Sequence, residues 1–153
     1  MRVRLEIVAA SVLVGAAAAP LLAAPQDVVK SRVASLRELG AAFKNVNDEL
    51  KGGSPQIYII QLSARQINSA ARQQYGWFPA GSGPQPGVKT NAKREIWAQS
   101  AQFKAGQDAF AAQAAAFAKV AGTGDMNAIR VQAKKLGATC TTCHRAYRVD
   151  PDR

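Results

Sequence analysis

Cys140-Thr141-Thr142-Cys143-His144 ends the last long helical stretch of this chain, and the rest of the sequence is best read from it. Two cysteines three positions apart, followed at once by histidine, form the C-x-x-C-H pattern of c-type haem attachment. The thiols can form thioethers to two vinyl groups, and the adjacent imidazole can ligate the iron. The chain has only two cysteines, both in this pattern. A single disulfide is the alternative for an exported protein, and the histidine directly after Cys143 favours haem. His144 is the only histidine. A bis-histidine haem within one chain is therefore impossible.

The segment carrying the pattern reads as a helix over 125–148. Asp125 is a good N-cap, and Ile129, Ala133, Leu136, Cys140 and Tyr147 share a face, with Cys143 or His144 beside them. Before it, Gly122-Thr123-Gly124 ends a helix predicted over 94–121. There Ile96, Phe103, Phe110 and Phe117 recur every seven residues, as a core face of a bundle does. Further upstream, residues 27–50 place Val29, Val33, Leu36, Phe43 and Val46 at three- and four-residue spacing. Residues 55–75 place Ile57, Ile60, Ala64, Ile67 and Ala71 likewise, with Ser54 as N-cap and Pro55 at the first helical position. The run Ile57-Tyr58-Ile59-Ile60 alone would also suit a strand, but the later spacing is helical. Residues 76–93 hold Gly76, Pro79, Gly81, Gly83, Pro84, Pro86 and Gly87 and form a long connection. Its Trp77 and Phe78 either pin the loop to the bundle or lie over a ligand, and the first use is favoured. The fold class is all-α: an up-down four-helix bundle with covalently attached haem near the C-terminus.

At 153 residues the chain suits one domain. Residues 1–24 read as a signal peptide: Arg2 and Arg4, then an apolar run, then Ala23-Ala24. Cleavage there leaves a single domain over 25–153 in the periplasm. An uncleaved anchor is the alternative, but Gly15 and Pro20 interrupt the apolar stretch. The whole chain carries a formal charge of +10. Arg2, Arg4 and Glu6 contribute +1 of it, so residues 25–153 carry +9. Such a surface suits an acidic partner or simply keeps the protein soluble. No nucleic-acid motif is present.

The usual second protein ligand of a haem iron is histidine or methionine. No second histidine exists, and Met1 leaves with the signal peptide. Met126 lies on the same predicted helix as His144, roughly 27 Å away at about 1.5 Å per residue. The expected iron is therefore five-coordinate, with an open, apolar distal side.

The terminal Cys140-Thr-Thr-Cys-His-Arg-Ala-Tyr-Arg148, the Glu95-Ile96-Trp97 helix start and the run Arg32-Val-Ala-Ser-Leu36-Arg-Glu-Leu-Gly40 resemble the class II c-type cytochromes, the cytochrome c′ family. The resemblance covers nearly all of residues 25–153. It implies one covalent haem c bound by Cys140 and Cys143, with His144 as the iron ligand. It places Leu36 on the distal face, where six-coordinate relatives carry methionine; an ordinary core leucine is the other reading. It pairs Arg32 with a haem propionate, against a solvated helix arginine. It sets Arg148 near the proximal imidazole or a propionate, against a frayed helix end. It also implies a homodimer formed through the first two helices.

Two functions are compatible with these residues. One is binding of a diatomic gas such as nitric oxide or carbon monoxide, with Leu36 as a steric gate that donates no hydrogen bond. The other is one-electron transfer with a redox partner protein, acidic by charge complementarity; a six-coordinate low-spin carrier with an unidentified distal ligand is its variant form. A thiol–disulfide role for Cys140 and Cys143 is disfavoured, because such motifs sit at helix N-termini in a βαβ setting. No acid–base pair accompanies the site, so the sequence does not indicate an enzyme.

Overall fold

The computed structural model describes residues 24–150 of the chain. The signal-peptide reading of residues 1–24 therefore lies outside the described residues, apart from Ala24 itself. Five helices account for the fold: α1 Pro25–Lys51, α2 Ile57–Gln73, α3 Glu95–Ala98, α4 Ser100–Thr123 and α5 Met126–Tyr147. The four long ones are the expected bundle, and α3 is a single turn leading into α4. Among the described residues no strand forms, and the only β-type pairings are isolated bridges, Gln85 with Val88 and Ala92 with Arg148.

Two element boundaries differ from the sequence reading. α2 begins at Ile57, capped by extended Gln56, and not at Pro55 behind Ser54. The Gln56 N–H donates to Glu49 Oε2 at 2.7 Å, so a carboxylate from the end of α1 holds the turn. The run Ile57–Ile60 is helical: Ile60 is fully buried, whereas Tyr58 is 69% exposed. The predicted helix over 94–121 is broken at Gln99, whose φ of −119° and ψ of 48° lie outside the helical region. The short turn before the break is held from elsewhere. Trp97 Nε1 donates to the Pro79 carbonyl at 3.1 Å, and Ile96 is buried. The break leaves the seven-residue stripe intact, since Ile96, Phe103, Phe110 and Phe117 are all buried.

The core lies between the four long helices. Val46 from α1, Ile60 and Ile67 from α2, Phe117 from α4, and Ile129 and Leu136 from α5 are inaccessible to solvent. Truncating a ring such as Phe117 would cost about 3–5 kcal/mol, from lost transfer energy and the cavity left behind. The helices pack as a ring, α1 on α2, α2 on α4, and α4 on α5. The ring closes most sparingly between α1 and α5. α1 and α5, which border that seam, carry the candidate residues Leu36 and His144.

Candidate functional site

α5 positions the C-x-x-C-H residues. Asp125 caps it as expected, its carboxylate accepting the Asn127 and Ala128 N–H groups at 2.9 and 3.1 Å. The helix then runs unbroken to Tyr147. Cys140, Cys143 and His144 stand at i, i+3 and i+4, on one face. Cys140 packs against the core. Burial pushes the Cys140 thiol above its ordinary range. It does the same to Cys143, with a smaller contribution from Cys140. Burial, and secondarily the charge of Arg148, pushes His144 below its ordinary value. At neutral pH the thiols are protonated and the imidazole is neutral, which is the form that ligates a metal. Neutral thiols also lack the depressed pKa of redox-active cysteines.

The close approach of α1 and α5 sets what faces His144. A Cβ placed on Gly137 would stand 3.2 Å from Phe43 Cζ, so these two positions meet. Seven residues, two helical turns, separate Phe43 from Leu36 on α1 and Gly137 from His144 on α5. The helices are antiparallel, so both steps run toward the same end of the seam and keep to the same faces. Leu36 and His144 are thus level across the seam. Leu36 is 38% exposed and its neighbour Val33 36%, so Leu36 is not an ordinary core leucine. An open groove of about 420 Å³, lined by Phe43, Leu50, Ala133 and Gly137 among others, extends mainly along the other side of that contact. Met126 lies at the far end of the continuous α5, packed against the core. It is out of reach of the His144 level.

Two thiols, a neutral imidazole and facing apolar side chains form a donor set suited to a covalently attached haem. The set offers two sulfurs to the vinyl groups, one nitrogen to the iron, and no acid or amide on Val33 or Leu36.

Arg32 departs from the solvated-arginine reading of it. It is 3% exposed, so it is not a solvated arginine. Its guanidinium is engaged by the connection between α2 and α3. Nη1 donates to the Trp77 carbonyl at 3.3 Å and to Ser82 Oγ at 2.9 Å. Nη2 donates to the Ser82 carbonyl at 3.0 Å and to Thr90 Oγ1 at 3.1 Å. The group also lies 4.7 Å from the centre of the Phe78 ring. Burial lowers its pKa, while neutral oxygens and a π-face hold the charge. Phe78 in turn meets Phe103 edge-on at 5.0 Å, and Phe103 meets Tyr147 at 5.0 Å. The loop aromatic Phe78 therefore pins the loop, as the favoured reading had it. Ser82 and Thr90 were not singled out in the sequence, where no local pattern marks them.

Arg148 is exposed, but the end of α5 is not frayed. Its backbone pairs with Ala92. Lys93 N–H donates to the Tyr147 carbonyl and Val149 N–H to the Asn91 carbonyl, both at 2.8 Å. Arg148 bears on His144 through its charge.

Residues 27–148 match the family described as Cytochrome C′. A cytochrome c′ from Alcaligenes xylosoxydans xylosoxydans is 31% identical over 126 residues, which is 82% of this chain and 96% of that protein. The nitric oxide complex of a leucine-to-alanine mutant of cytochrome c prime from Alcaligenes xylosoxidans superposes with a TM-score of 0.76 at 27% identity, covering 84% of this chain and 98% of the other. A further cytochrome c′, described by its ligand-controlled dimer dissociation, superposes with a TM-score of 0.78 at 24% identity over 84% of this chain and 98% of its own.

Proposed function

The chain belongs to the cytochrome c′ family and carries that family's single covalent haem c; on that premise we propose that it binds a diatomic gas, nitric oxide or carbon monoxide, in the periplasm after export. Cys140 and Cys143 would hold the haem and His144 would ligate its iron. When bound, the group supplies a one-electron couple and a coordination position for a small ligand. The observation that carries the reading is Leu36, level with His144 across the α1–α5 seam and without a donor atom. Its hydrocarbon excludes water and gives no hydrogen bond to a bound ligand, which disfavours polar ligands. Arg148 keeps a positive charge beside the imidazole, which favours the neutral form of His144. The related nitric oxide complex supports the same reading. Optical spectra of the purified protein test it. The expected resting spectrum is five-coordinate, and added carbon monoxide shifts the ferrous Soret band. A fully low-spin, six-coordinate resting haem with no response to carbon monoxide would overturn it.

Electron transfer is the second reading, and the charge of α5 favours it. Arg130, Lys134, Lys135 and Arg145 are exposed on α5, and no Asp or Glu lies within Met126–Tyr147. The ion pairs identified among the described residues, Lys30–Asp27, Lys44–Asp48 and Lys104–Asp108, lie on α1 and α4 instead. The helix that carries the haem motif thus presents positive charge to an acidic redox partner. A homodimer through α1 and α2 suits the exposed Tyr58 and Leu62 on α2, and a relative shows ligand-controlled dimer dissociation. Among the described residues no helix is long and apolar enough to cross a membrane. We read the chain as a binding and carrier protein and not as an enzyme.

A further inference from the structure

Three observations concern the segment 77–93. Arg32 on α1 holds it at both ends, through the Trp77 carbonyl and both oxygens of Ser82 near its start and Thr90 Oγ1 near its close, where Lys89 N–H also donates to Gln26 Oε1 of α1 at 3.0 Å. In its middle it is fitted against α3. A Cβ on Gly83 would stand 2.9 Å from Trp97 Cζ3, and the Trp97 indole is itself bonded to Pro79. At its far end it is tied to the last turn of α5 through Lys93 with Tyr147, Asn91 with Val149, and Lys93 Nζ with the Arg145 carbonyl at 3.0 Å. The segment therefore spans the seam between α1 and α5, whose direct contact is sparse. One anchor is one turn from Leu36, and the other adjoins His144.

We propose that Arg32 is a positioning residue: by gripping residues 77–90 it holds a strap across the seam, and the strap fixes the gap between Leu36 and His144. A buried guanidinium needs several acceptors at once, and its planar fork reaches four of them here. Releasing it leaves the Trp77 and Ser82 carbonyls and two hydroxyls to find other donors. The strain passes to the α5 anchor because only Asn91 and Ala92 separate Thr90, held by Arg32, from Lys93, held by Tyr147. Arg32 acts without touching the iron ligand. This inference rests on the gas-binding reading only for its kinetic consequence.

Amide hydrogen exchange on the haem-loaded protein, with carbon monoxide kinetics on the same samples, tests it. Arg32→Met should speed exchange of the Ser82 and Val88 amides by at least about tenfold. It should speed the Lys93 and Val149 amides as well, although they lie at the other anchor. Carbon monoxide association should rise several-fold with dissociation unchanged, whereas general loosening of the bundle would move both. Arg32→Lys should fail to rescue, since an ammonium cannot serve the four oxygens from one point. Ser82→Ala, which removes one Arg32 acceptor far from the α5 anchor, should produce the same pattern at smaller amplitude and decides the matter if Arg32→Met does not fold. Wild-type exchange at Lys93 and Val149 in the folded variants would overturn the proposal. So would carbon monoxide association unchanged from wild type. If the wild-type protein binds no carbon monoxide at all, the gas-binding reading fails while the exchange measurement still judges the strap.

Discussion

A thioether in place of Leu36 would give the helix face opposite His144 the electron pair that a leucine lacks. Leu36→Met is therefore expected to give a low-spin, six-coordinate haem, seen in optical and electron paramagnetic resonance spectra. A Leu36→Met protein that stays high-spin would mean that this side chain does not face the iron. The cysteines make a second expectation. Burial raises both thiols above their ordinary value of 9.0, so the thiolate fraction near neutral pH is lower than in an unfolded chain. In the haem-free protein, alkylation by iodoacetamide at neutral pH should be slower than in denaturant and should speed up as pH rises. Equal rates in the two states would contradict it. The pattern of His144 and the two cysteines was legible because it is local to five consecutive residues. That of Arg32 was not. Its acceptors stand 45 to 58 positions away, and two of them are backbone carbonyls that no side-chain pattern reveals.

α5 shows what makes an element predictable. Its cap and its apolar face follow from Asp125 and from side chains within the helix, and the structure reproduces them. Asp125→Ala removes an acceptor used by two N–H groups and should lower stability by about 1 kcal/mol in denaturant unfolding. An unchanged midpoint would show that the carboxylate is dispensable. The break at Gln99 is the opposite case. Neither proline nor glycine marks it, and the turn before it is seated through Trp97 on Pro79, 18 positions away. The start of α2 was missed for a similar reason: the carboxylate that holds Gln56 comes from α1. Elements stabilised from within were readable, and elements positioned by a distant partner were not.

Across the molecule, charge is distributed unevenly: Asp27, Asp48 and Asp108 pair with lysines on α1 and α4, whereas α5 carries exposed cations and no acid within Met126–Tyr147. The electron-transfer rate with an acidic redox protein should fall as ionic strength rises from about 0.01 M to about 0.15 M, where the screening length shrinks from about 30 Å to about 8 Å. Replacing Lys134 and Lys135 by glutamate should flatten that dependence, while Lys44→Gln, which removes a cation already paired with Asp48, should leave it nearly intact. A salt-independent rate would remove the docking role of this face. The Phe43–Gly137 contact carries a different consequence, one for how this gene can drift. A single residue lost between positions 37 and 42 would swing Leu36 by about 100° around its axis, because each helical residue advances that far. Point changes along this stretch leave its phase untouched, whereas deletions and insertions shift it in discrete jumps. The spacing between those two side chains therefore behaves like the tooth count of a gear, free to change material but not number.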